Sequence, residues 1–94
     1  MFDIGFGEGG VIRLSGRFDA AVVDRAKTFL DQVESSTTVD CRLLEYISSA
    51  GLGVLLGAQK RLAVSDQRLR LTNMNHHIRE IFRIAGFDHI FEIE

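Results

Sequence analysis

The sequence predicts an α/β domain, with a mixed central β-sheet that opens on an N-terminal antiparallel hairpin and continues as alternating helices and strands. Three observations predict it. Apolar residues alternate with polar ones in short stretches such as Val11–Ser15 and Arg68–Thr72. Between such stretches they recur at spacings of three and four, over Ala20–Val33, from about Ser48 to Ala63, and over His76–Ala85. Proline is absent from the 94 residues, and no linker or repeat divides residues 1–94, so one domain is expected. The order β-β-α-β-α-β-α, with a last short strand in the tail, implies a largely parallel sheet with right-handed crossovers.

Each element has its own reason. Phe2–Phe6 alternates and reads as an edge strand, and Gly7–Gly10 reads as the turn after it. Val11–Ser15 pairs back antiparallel, and Gly16–Asp19 closes it. Asp19 is placed to cap the helix that follows. That helix, Ala20–Val33, carries Val22, Val23, Ala26, Phe29, Leu30 and Val33 on its apolar face. Thr38–Arg42 reads as a strand with Val39 and Cys41 on one side, and Leu43–Ile47 as a short apolar lead into the next helix. On that helix Leu52, Leu55, Leu56, Gln59 and Leu62 share a stripe that only Gln59 breaks. Arg68–Thr72 buries Leu69 and Leu71. Asn75 caps His76–Ala85, Gly86 suits the left-handed position after it, and Phe87 is expected to fold back onto Phe82. His89–Glu94 completes the sheet.

Composition excludes several functions. Eleven basic and 13 acidic residues give a net charge of −2, which disfavours direct nucleic-acid binding. The longest apolar run, Ala50–Ala58, is too short to span a bilayer, so membrane insertion is not expected. With no secretion signal and a single cysteine, Cys41, the expected location is the cytoplasm. The 10.5 kDa mass implies a folded surface of about 5,400 Å².

The most informative segment is Tyr46–Leu52 (YISSAGL). Two serines open a helix there. One reading is capping, because serine is a preferred N-cap. The other is a phosphorylation or anion site, because the positive end of a helix stabilises negative charge. The two are compatible if Ser48 caps and Ser49 is modified. No catalytic residue is expected: the G-x-S-x-G elbow is absent and no base can be placed beside Ser49. No metal site is expected either, since His76 and His77 are adjacent and diverge on a helix, and Cys41 stands alone. Gly5, Gly7, Gly9 and Gly10 lie in a hairpin, outside the strand-to-helix context of a nucleotide loop, so no cofactor is expected. The basic residues Lys60, Arg61, Arg68, Arg70, Arg79 and Arg83 read as solvated surface.

The run Val39–Leu56 (VDCRLLEYISSAGLGVLL) resembles the centre of a STAS domain, the sulfate transporter and anti-sigma factor antagonist family. Asp40 matches that family's strand aspartate, Gly51 and Leu52 match its Gly-Leu, and Ser49 falls on its phosphorylated serine. Gly16–Asp19 and Leu71–Phe91 resemble two further family segments in the right order. The chain departs from the pattern where Ser48 replaces an aspartate and Ala50 a serine, and it stops at Glu94, where some relatives have another helix.

The resemblance implies a non-enzymatic switch of the anti-anti-sigma type. Its partner would be an anti-sigma factor that is also the serine kinase for Ser49, with Ser48 a competing acceptor, and a serine phosphatase would reverse the reaction. The partner-binding residues would be Asp19, Ser48, Ser49, Ala50, Gly51 and Leu52. A second reading is a constitutive docking subunit of a signalling, transporter or lipid-transport complex, with no modification at Ser49.

Overall fold

In β2 (Ile12–Phe18), Ile12, Leu14, Gly16 and Phe18 are buried and Arg13 and Arg17 exposed, so one face of the strand is covered. A computed structural model describes all residues, Met1–Glu94, and extends this division across the sheet. β1 (Asp3–Phe6) runs antiparallel to β2. β3 (Thr37–Ile47), β4 (Leu69–Thr72) and β5 (Glu92–Ile93) follow in parallel, giving the strand order β1-β2-β3-β4-β5.

The helices α1 (Val23–Leu30), α2 (Ser49–Ala63) and α3 (His76–Ile84) connect the parallel strands. Every crossover advances one strand in the same direction. Connections of a single hand therefore place all three helices on one face. Burial agrees: Ile4, Leu14, Val39 and Leu71 join a 22-residue apolar core with Leu30, Leu55 and Phe82 of the helices. The opposite face carries Asp3, Arg13, Arg42 and Arg70 in solvent. The accessible surface is 5456 Å², close to the value that mass implies.

Three sequence expectations are corrected. β3 does not stop at Arg42 but runs to Ile47. Against β2 it carries one unmatched residue between Asp40 and Leu43 and another between Leu44 and Tyr46. Its buried positions therefore fall at Val39, Cys41, Leu44 and Ile47, and the alternation is lost midway. β2 likewise continues through Gly16 to Phe18. Gly16 has φ of 79°, and a Cβ there would stand 1.6 Å from the Met1 carbonyl oxygen, so the position demands glycine.

The first helix is shorter than its apolar pattern. The Asp19 carboxylate binds the Ala21 amide two residues on, at 3.0 Å, and closes a 3-10 turn over Ala20–Val22 before α1 begins. Val33 lies beyond α1 but is still buried, held by a turn to the Leu30 carbonyl.

Asn75 caps α3 as expected, accepting from the Ile78 amide at 2.9 Å. Gly86 takes φ of 78°, and the amides of Gly86 and Phe87 bond the carbonyls of Arg83 and Phe82, a complete Schellman closure. Phe87 thus returns to Phe82 through its backbone. The Phe82 ring meets Phe91 instead, edge-on at 5.5 Å, and Phe91 also contacts Phe87 at 6.5 Å.

Candidate functional site

The residues singled out in the sequence meet where β2 and β3 end side by side. Phe18 pairs with Ile47, so Asp19 and Ser48 leave the sheet as neighbours. The Ser48 amide donates to the Phe18 carbonyl at 2.9 Å, carrying the parallel ladder one step past the strand. Ser48 has extended backbone angles, and its Oγ accepts from the Gly51 amide at 3.2 Å. Its carbonyl accepts from Leu52 at 2.9 Å. Ser48 is therefore the N-cap of α2 and is half-buried.

Ser49 is the first residue of α2 and is exposed. Its hydroxyl makes no hydrogen bond within the chain, and no acidic residue occupies the first turn. The positive end of α2 therefore faces solvent at Ser49, where it favours an added negative group by about 0.3–1 kcal/mol. Ala50 is half-buried, while Gly51 and Leu52 are buried. Of the six residues expected to meet a partner, Asp19, Ser48, Ser49 and Ala50 reach the surface, and Gly51 and Leu52 support them from beneath.

The role of Gly51 emerges only in three dimensions. A Cβ at this position would stand 2.8 Å from the Phe18 carbonyl oxygen and 3.0 Å from the side chains of Ile47 and Phe18. Glycine lets the first turn of α2 seat directly on the ends of β2 and β3. Sequence reasoning had no access to the Phe18 carbonyl, because a backbone atom leaves no side-chain signal. Beside the site, the Arg17 guanidinium lies 4.3 Å from the centre of the Tyr46 ring, which holds both side chains at the rim of the open sheet face.

Asp40, the strand aspartate of the family pattern, lies elsewhere along β3, where it pairs with Arg13 and Thr72. Its Oδ1 accepts from the Arg42 amide at 2.9 Å and from Asn73 Nδ2 at 3.0 Å. Burial pushes its carboxyl pKa up, but the Asn73 and Arg42 hydrogen bonds and the charges of Arg42 and Arg13 outweigh this and hold it below the usual value. It fastens the bulge of β3 to the turn after β4. Cys41 faces the core, where burial first and the nearby Asp40 charge second push its thiol up to about 12. It is a protonated, apolar packing residue.

Comparison with known proteins places this geometry in context. The family model described as "Mlab, STAS domain" matches residues 6–92. A Bordetella bronchiseptica protein named "Putative anti-sigma factor antagonist BtrV" is 41% identical over 64 residues, which span 68% of this chain and 55% of that protein. The chain thus covers little more than half the length of that relative. The anti-sigma-B factor antagonist of Listeria monocytogenes is 31% identical over 87 residues, 88% of this chain and 76% of that one. Among solved structures, the Bacillus cell fate determinant SpoIIAA in its phosphorylated form superposes with a TM-score of 0.73 at 21% identity, over 100% of this chain and 91% of that chain. At that identity the likeness is one of fold.

Proposed function

The chain belongs to the STAS domain family, and from that premise we propose that it is an anti-sigma factor antagonist switched by phosphorylation of Ser49. Unmodified, it binds an anti-sigma factor and frees a sigma factor. That partner is also the serine kinase that modifies Ser49 with ATP, and a serine phosphatase restores the binding form. On this reading the chain is a cytoplasmic binding protein and not an enzyme.

The observation that carries the proposal is the division of labour between two adjacent serines. Ser48 Oγ is committed to the Gly51 amide, while the Ser49 hydroxyl is exposed and unbonded. This supports Ser49 as the acceptor, with Ser48 maintaining the helix end that holds it. A phosphate adds about −1.5 to −2 charges, which the α2 N-terminus tolerates but a closely packed partner does not. A loss of about 3 kcal/mol weakens binding more than a hundredfold.

The test is calorimetric titration of the purified cognate anti-sigma factor into three forms of the chain. Wild type and Ser49→Ala are expected to bind alike, and Ser49→Asp at least tenfold more weakly. Equal affinity of Ser49→Ala and Ser49→Asp overturns the switch. One observation favours the second reading, a constitutive docking subunit: the cap residue Ser48 brings no carboxylate beside Ser49 for a kinase to use. That reading predicts the same partners on all three forms.

A further inference from the structure

The strand β1 is four residues long and has a sheet partner on one side only. A terminal strand of this kind frays unless other contacts tie it down. Three devices hold the residues at its start. Gly16 lacks a Cβ where the Met1 carbonyl passes over β2. The buried Phe2 ring packs on Phe18, with centroids 5.0 Å apart. Arg25 reaches across from α1: its Nη1 donates to the Phe2 carbonyl at 3.2 Å, and its Nη2 pairs with the Asp3 carboxylate. The same guanidinium lies 5.7 Å from the centre of the Phe2 ring, within cation–π range. Arg25 is an exposed side chain, yet its hydrogen bonds all go to these two residues.

Phe18 joins this segment to the first turn of α2. Its ring is fully buried, and its Cδ1 lies 3.0 Å from the place a Cβ on Gly51 would occupy. Its carbonyl accepts the Ser48 amide at 2.9 Å. One residue therefore meets Phe2 through its ring and the α2 turn through both ring and backbone. Protein interiors are close-packed, so a ring that loses a neighbour shifts or gains freedom, and the contacts on its other sides loosen with it. Arg25, Phe2, Phe18 and the Ser48–Gly51 turn form an unbroken series of contacts from the helix surface to the exposed serine.

We propose that Arg25 and Phe2 are positioning residues for Ser49, acting through Phe18: the segment Met1–Asp3 is a strap, and Arg25 is its latch. With the latch closed, Phe2 presses on Phe18, and the Phe18 carbonyl holds the Ser48 cap in register. With the latch open, the strap loosens and the cap bond opens more often. Ser49 then spends less time where a kinase can present phosphate to its hydroxyl, because transfer depends on the alignment of the reacting atoms. The consequence for phosphate transfer rests on the Ser49 reading, whereas the hold on the cap does not.

The experiment follows amide hydrogen exchange by NMR in wild type, Arg25→Gln and Phe2→Leu, and then the kinetics of phosphorylation of each by the purified anti-sigma kinase. Arg25→Gln alters only an exposed side chain and is expected to fold. Phe2→Leu keeps the position apolar and removes the ring. Both are expected to speed exchange at the Ser48 and Gly51 amides about three- to tenfold, with Leu71 in β4 unchanged. The kcat for phosphate transfer is expected to fall about threefold or more, with KM changed less. Unchanged exchange at Ser48 and Gly51 in both variants overturns the strap. Equal acceleration at Ser48, Gly51 and Leu71 reports general loss of stability and overturns it too. Faster exchange at the cap with wild-type phosphorylation kinetics overturns the positioning of Ser49. A wild-type chain that takes up no phosphate overturns the Ser49 reading and, with it, the positioning role, while exchange at the cap still decides the strap.

Discussion

The Phe18 carbonyl lies 2.8 Å from the place a Cβ on Gly51 would occupy, and the same oxygen accepts the Ser48 amide at 2.9 Å. One backbone atom at the end of β2 therefore sets both the height of the first turn of α2 and the position of its cap. Ser49 stands between the two residues it controls. Gly51→Ala forces this turn away from the strand ends. The expected cost is about 1–3 kcal/mol, the usual penalty for overpacking a tight contact. Urea unfolding measures it. Partner affinity is expected to fall along with stability, because the displaced turn carries Ser49. A variant as stable as wild type shows that the α2 turn yields without resistance and is not held by this contact.

The site was more legible than the strand leading to it. A capping serine, an exposed neighbour and a following Gly-Leu are local features, and local features survive in sequence. The full length of β3 was not legible because its two unmatched residues move the buried set from Val39 and Cys41 to Leu44 and Ile47. A period-two reading stops at the first bulge. Gly16 was assigned to the turn after β2 for a related reason: its left-handed φ marks an irregularity inside a strand, and glycine alone does not distinguish that from a strand end.

Asp40 and Asn73 make a prediction about acid. Their 3.0 Å hydrogen bond and that from the Arg42 amide are strongest to the ionised carboxylate. The folded-state pKa of Asp40 lies below its ordinary 3.8. Its contribution to stability is therefore complete above that value and is lost as pH falls through the lowered one. Asp40→Asn is expected to be about 1 kcal/mol less stable than wild type at neutral pH. The gap is expected to begin narrowing at about pH 4 and to close only below the lowered folded-state value. Urea unfolding of both proteins across this range reads it directly. A gap that stays constant with pH excludes the ionised carboxylate as the fastener.

Ser48 and Ser49 separate in a paired substitution. Ser48→Ala removes the acceptor of the Gly51 amide and is expected to cost about 1 kcal/mol. It should still take up phosphate from the anti-sigma kinase. Ser49→Ala is expected to keep wild-type stability, since its hydroxyl bonds nothing, and to take up none. Thermal melts and intact-mass spectrometry after incubation with kinase and ATP report both properties. Phosphate on Ser49→Ala but not on Ser48→Ala reverses the assignment of the two serines.

Gln59, the single polar break in the apolar stripe of α2, yields the least intuitive outcome. It is buried, and its Oε1 accepts from the Leu69 amide at 2.8 Å. β5 pairs with β4 only from Arg70 onward, so the Leu69 amide lies one residue short of a strand partner. Gln59 supplies the missing acceptor. Gln59→Leu completes the hydrophobic stripe and adds apolar burial, yet leaves that amide unsatisfied in the interior. The unsatisfied donor is expected to prevail, with a net loss of about 1–3 kcal/mol. Amide hydrogen exchange at Leu69 should accelerate more than at Leu71, which stays in the ladder. A stabilised Gln59→Leu variant shows that water or a backbone shift reaches Leu69, and that the glutamine is dispensable to the sheet.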